Sequence, residues 1–192
     1  MKHQMNDLKK QDYAVIYGAT NKGGTTFAVY LARKGYNIIL IDTEKDKLEK
    51  AYVTIKESLH ENEFKALEII KMNTDTFEEI SFLNTVKNIE TKGRIKFFIN
   101  AKNVRLARKS QKKFEMINHQ EIYQIILENV ENFSSVFNIF AKSMMKVENA
   151  GFINISNNKN DDENELINYD ILYYSSLRFI HSFVRAFRKT HP

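Results

Sequence analysis

Residues 15–42 read Val15-Ile16-Tyr17-Gly18-Ala19-Thr20-Asn21-Lys22-Gly23-Gly24-Thr25-Thr26-Phe27-Ala28, run on to Tyr36, and close on Asn37-Ile38-Ile39-Leu40-Ile41-Asp42. An apolar run, a glycine turn, a helix-forming stretch and a second apolar run ending on an acid are the parts of a parallel βαβ unit. Such a unit sets the glycine turn beside a helix N-terminus, where backbone N–H groups and the helix dipole can receive a pyrophosphate. The acid at the end of the second strand, about twenty residues past the turn, is placed to accept a hydrogen bond from a ribose 2′-hydroxyl and to repel a 2′-phosphate. The same carboxylate could instead cap the helix that begins near Glu44.

Working outward, strands and helices alternate. Strands are expected at 13–17, 37–41, 66–70, 95–99 and 151–155. Helices are expected at 25–34, closed by Gly35, and at 44–60, 76–90, 121–147 and 169–189. The helices carry their apolar residues at helical spacing, as Leu48, Tyr52, Ile55 and Leu59 show for the second. Residues 37–41 suit a strand buried on both faces. Residues 102–118 form a basic connection, and 156–168, with Asn157-Asn158-Lys159-Asn160-Asp161-Asp162, read as loop. The pattern predicts one α/β domain over 1–192: a doubly wound parallel sheet in a Rossmann-like three-layer sandwich, with residues 1–12 as an N-terminal extension.

Composition narrows the chemistry. The 192 residues hold no cysteine, which excludes disulfides, thiolate zinc sites and a cysteine nucleophile. The five histidines show no ligand spacing, and the acids at 161–165 lack the alternation and glycine of a calcium loop, so no metal site is expected. Net charge is +5, but the 29 basic residues are scattered among 24 acids, so no nucleic-acid partner is expected. The run Arg105, Arg108, Lys109, Lys112 and Lys113 is read as a solvated helix face, with a docking surface as the alternative. No stretch is long and apolar enough for a transmembrane segment. The polar N-terminus lacks a signal-peptide core, so an intracellular setting, mitochondrial or cytoplasmic, is expected.

Over residues 12–189 the chain resembles the short-chain dehydrogenase/reductase family, in its hydroxysteroid dehydrogenase and 3-oxoacyl-CoA reductase branch. The resemblance rests on the glycine turn, on residues 37–49, on Phe98-Ile99-Asn100, on Asn129, on Phe152-Ile153-Asn154-Ile155-Ser156 and on Tyr174-Ser175-Ser176-Leu177-Arg178. It implies that Gly18, Thr20, Lys22, Gly24, Asp42 and Asn100 contact a dinucleotide, with NAD(H) favoured over NADP(H). It also implies that Asn129, Asn157, Tyr174 and Arg178 stand at the four positions of the Asn-Ser-Tyr-Lys active-site group. Departures accompany it. Lys22 replaces the middle glycine of Gly-x-x-x-Gly-x-Gly, with Gly23 beside it. The family's Asn-Asn-Ala-Gly after strand four becomes Asn100-Ala101-Lys102-Asn103. Asn157 falls at the serine position and Arg178 at the lysine position, and a wide guanidinium does not fit a place made for a compact ammonium. Relatives continue beyond the last helix, so the final strands are expected to be missing.

These departures together imply a non-catalytic relative serving as a structural or accessory subunit of a larger complex. By analogy alone that complex could be mitochondrial. The dinucleotide site would be vestigial, holding no cofactor or weakly bound NAD(H). A protein partner is expected over the open sheet edge and the final helix, where Phe179, Ile180, Phe183, Val184 and Phe187 lie, and a homodimer through that helix is a further expectation. Two alternatives stay open: an NAD(H)-dependent oxidoreductase acting on a hydroxysteroid or 3-oxoacyl substrate, with Tyr174 as proton donor, and a nucleotide-binding sensor without turnover.

Overall fold

The computed structural model describes residues 11–75, 77–102, 114–155 and 171–190. Five parallel strands form one sheet in the order β3-β2-β1-β4-β5, with β1 at Gln11–Tyr17, β2 at Asn37–Asp42, β3 at Ile69–Asn73, β4 at Gly93–Asn100 and β5 at Gly151–Asn154. The helices are α1 (Lys22–Arg33), α2 (Lys45–Glu57), α3 (Glu61–Lys65), α4 (Glu79–Lys92), α5 (His119–Ile126), α6 (Asn132–Met144) and α7 (Ile171–Thr190). The expected doubly wound α/β fold is therefore present.

The layers follow from side-chain alternation along the strands. Tyr13, Val15 and Tyr17 face the α4, α6 and α7 side, where Phe82, Val86, Phe133, Phe137, Phe140 and Ile180 close the core. Ala14 and Ile16 face α1 and α2, meeting Ala28, Leu31, Leu48, Ala51 and Ile55. All six residues of β2 are buried, as a central parallel strand requires. Between β1 and β4 the winding direction reverses, and a crevice opens at the carboxyl ends of those strands. The strand tips there are polar: Asp42 pairs in register with Asn73, and Asn100 with Asn154.

Several boundaries correct the expectations. Gln11 and Asp12 belong to β1, paired with Gly93 and Arg94, so the extension does not reach residue 12; Asp12 is held by the Arg94 guanidinium at 2.6 Å. The third strand starts at Ile69 instead of Ala66. The cause is α3, whose exit turn uses the N–H groups of Ala66 and Leu67. The Asn37 side chain then accepts from the Glu68 N–H at 2.7 Å, fixing where pairing with β2 begins. The single helix expected over 121–147 is α5, a π-helical turn at Leu127–Glu131, and α6. The final helix is largely covered from within. Ile180 is buried, Phe183, Val184 and Phe187 pack on the core, and Phe179 stays exposed at 37%. Among the described residues β5 pairs with β4 alone.

Candidate functional site at the crevice between β1 and β4

The glycine turn is shaped by close backbone approach. Gly18 has φ +84°, and a Cβ there would stand 2.3 Å from the Lys102 nitrogen. A Cβ on Gly24 would stand 2.3 Å from the Gly18 carbonyl oxygen, so α1 can sit on the turn only with glycine at 24. Gly23 is different: its Cβ would meet only the Ile155 side chain, at ordinary contact distance, 3.7 Å. Lys22 is the exposed first residue of α1.

Asn21 is the N-cap of α1 but does not cap it with its side chain. Its amide nitrogen donates instead to the Ala101 carbonyl at 2.9 Å, tying the turn to the tip of β4. The first-turn N–H groups of α1 thus keep the positive end of the helix dipole free of a side-chain cap. Asn100 acts as a strand tie: its amide donates to Asn154 Oδ1 at 2.7 Å, and its Oδ1 accepts from the Lys102 N–H at 3.1 Å.

Asp42 is 1% exposed, and both its oxygens are fully engaged. Oδ2 accepts from the Thr20 N–H at 3.0 Å and the Thr20 hydroxyl at 2.6 Å. Oδ1 accepts from the Thr43 N–H at 2.8 Å and the Lys102 ammonium at 2.5 Å. A carboxylate offers about four acceptor positions; four close donors take them, with the Thr43 hydroxyl a fifth at 3.5 Å. Burial pushes the Asp42 carboxyl up, but the charge and hydrogen bond of Lys102, followed by the two Thr20 bonds, outweigh it and hold the group below the usual carboxylate range. The helix-capping role open to Asp42 is not the one it takes, because Glu44 is the N-cap of α2.

Lys102 is the residue that sequence reasoning missed. Its side chain is 8% exposed, and its nitrogen also reaches the Thr43 hydroxyl at 3.0 Å and Glu128 Oε2 at 4.0 Å. The signal was available: a long cationic residue occupies a position where the resembling family keeps alanine, at the tip of the strand two places from Asp42. Beneath it lies Tyr17, which burial first, then the negative charges of Asp42 and Glu128, keep neutral well above the ordinary phenol range. The cleft around these groups has a volume of about 740 Å³ and is lined by Thr20, Asn21, Asp42, Lys102, Glu128 and Asn132 among others.

A dinucleotide ribose, tested against this donor set, does not fit. The acid that should receive its hydroxyl has no acceptor position left, and an ammonium fills the approach. The residues expected at the reacting end are only partly brought together. Asn129 is buried in the π-helical turn, and α7, which carries Tyr174 half-buried and Arg178 exposed, packs against that turn and α5. Asn157, Ser156 and the loop 156–168 lie outside the described residues, as do Asn103 and the basic cluster at 105–113. Among the described residues no cluster of metal-ligating side chains occurs, and no helix is long and apolar enough to cross a membrane.

Known proteins resemble this chain at three levels. The family model for short chain dehydrogenase matches residues 12–191. A 42-residue stretch is 48% identical to the very-long-chain 3-oxoacyl-CoA reductase of Mycosarcoma maydis, spanning 22% of this chain and only 12% of that protein. An alcohol dehydrogenase from the archaeon Thermococcus sibiricus, complexed with 5-hydroxy-NADP, superposes with a TM-score of 0.70 at 24% identity, over 95% of this chain and 72% of that one. The 3-oxoacyl (acyl-carrier-protein) reductase of Agrobacterium tumefaciens C58, with NADP bound, gives 0.71 at 11% identity over 96% and 66%. At these identities the solved structures speak to the fold.

Proposed function

The chain belongs to the short chain dehydrogenase family, and from that premise we propose that it is a member without hydride-transfer activity, retained as a structural or accessory subunit of a larger protein complex. The observation that carries the reading is the buried Lys102–Asp42 pair, which uses up the carboxylate a dinucleotide ribose requires. Arg178 supports it: the guanidinium at the lysine position stands exposed. Fluorescence titration of the wild-type chain with NADH and NADPH is expected to show no binding up to millimolar cofactor, and no reduction over a panel of ketones. The 22.6 kDa chain, isolated natively from its source, is expected to migrate with a much larger assembly. Ketone reduction, or migration as a free monomer, overturns the reading.

One observation favours a second reading. The local 48% identity with a 3-oxoacyl-CoA reductase favours the oxidoreductase alternative, with a 3-oxoacyl substrate. Tyr174 would then donate the proton, Arg178 would supply the neighbouring charge, and Asn129 would hold a water. The same titration separates the two.

A further inference from the structure

We propose that Lys102 is a built-in occupant of the ribose position, so that a latent, NAD(H)-selective dinucleotide site is shut by one side chain; this rests on the non-catalytic reading above. The backbone of Lys102 is pinned over the glycine turn. Ala101 donates to the Tyr17 carbonyl at 2.7 Å, its own carbonyl accepts from Asn21, and the Lys102 N–H is held by Asn100. From there the four-carbon stem passes across the carboxyl end of β1 and places its ammonium on Asp42, at the tip of β2. Neighbouring parallel strands lie about 4.8 Å apart, so the stem and the Asp42 side chain together bridge two strand spacings of sheet edge. That edge is the switch point where a dinucleotide lies in such sheets. Thr43 and Glu128 hold the ammonium in place from either side.

Several other parts of a dinucleotide site are still built, with Lys22 in place of the middle glycine exposed at the start of α1. Gly18 and Gly24 keep the close turn, and α1 keeps a first turn without a side-chain cap. Asp42 stands where it would accept a ribose hydroxyl and repel a 2′-phosphate once Lys102 is gone. The site is closed from within and not dismantled.

The test is a fluorescence titration of the full chain with NADH and with NADPH, for wild type, Lys102→Ala, and the double variant Asp42→Ser/Lys102→Ala. Circular dichroism identifies the folded variants. Lys102→Ala is expected to bind NADH at least about tenfold tighter than wild type does, and about tenfold tighter than it binds NADPH. The double variant removes both charges from the interior, so it keeps the question open to measurement if Lys102→Ala alone does not fold. It is expected to gain affinity for both cofactors about equally, since no carboxylate remains to choose between them. A folded variant that binds neither cofactor more tightly than wild type overturns the inference. Ketone reduction by wild type, read separately as product formation, overturns the non-catalytic reading instead.

Discussion

At the scale of single residues, the Lys102–Asp42 pair holds two charges in the interior, and its energetics depend on keeping both. Removing one partner of a buried pair typically costs about 3–5 kcal/mol, because the other charge is left without compensation; removing both together costs far less. Lys102→Ala is therefore expected to be destabilised by about that amount, and Asp42→Ser/Lys102→Ala by much less, as measured by urea denaturation. The same pair sets a pH dependence. The folded Asp42 carboxyl lies below its ordinary value of 3.8, so it contributes stability that is whole above 3.8 and is lost as pH falls through the lower folded value. Glu68, whose burial is outweighed by its Lys92 partner, and Glu90, bonded to Lys146, also sit low and add their own acid sensitivity. The Asp42 share is thus the difference between wild type and the double variant. That difference is expected to shrink as pH is lowered from about 5 to about 2, and a gap independent of pH would exclude the assignment. Half of this pairing was legible in the sequence: Lys102 stands out against the family's alanine, but its partner does not. Asp42 and Lys102 are 60 residues apart, and only the strand order sets them across one crevice.

At the scale of the element, the turn and first helix separate glycines that geometry demands from one that it does not. Gly24 touches the Gly18 carbonyl so closely that a methyl group must displace backbone, and Gly24→Ala is expected to cost about 1–3 kcal/mol. Gly23 lies in α1 with only the flexible Ile155 side chain nearby, and alanine loses less chain entropy than glycine on entering a helix. Gly23→Ala is expected to stabilise the protein by about 0.4–1 kcal/mol, read as a raised denaturation midpoint; a loss would show that α1 needs backbone freedom there. The βαβ unit around this turn was readable because apolar runs and glycines carry local information. The third strand was misplaced because Ala66, Leu67, Ile69 and Ile70 all suit a strand. What excludes the first two is the exit turn of α3 and the side chain of Asn37, a residue in another strand. The break in the long helix has a similar character. No glycine or proline breaks the stretch from 121 to 144, and the π-helical turn at Leu127–Glu131 coincides with its packing against α7 and the approach of the Glu128 carbonyl to Tyr17.

At the scale of the whole molecule, two aromatic rings of α6, Phe133 and Phe137, join α7 to the sheet. Phe137 of α6 is 2% exposed and meets Phe98 of β4 at 5.2 Å, Phe152 of β5 at 5.0 Å, and Phe183 and Phe187 of α7 at 5.6 and 5.0 Å, all edge-on. Edge-to-face rings add attraction beyond the area they bury. Through these contacts α7 is docked on the core, with Ile180 buried and Phe183, Val184 and Phe187 half-buried against it. Phe179, exposed at 37%, stands at the rim of that arrangement, its ring tilted 5.8 Å from Phe183. The two positions should therefore answer different questions. Phe137→Ala is expected to cost about 3–5 kcal/mol, a large fraction of a domain's 5–15 kcal/mol, and to loosen α7 before the central strands. Hydrogen exchange checks this: protection should fall in 171–190 more than in β1 or β2, and a uniform fall would show that α7 and the sheet open as one unit. Phe179→Ala, by contrast, should change stability by no more than about 0.5 kcal/mol. If α7 is the surface by which an accessory subunit is held, that same substitution should still weaken retention in the native assembly. Stability unchanged and retention unchanged would place the docking surface elsewhere on the molecule.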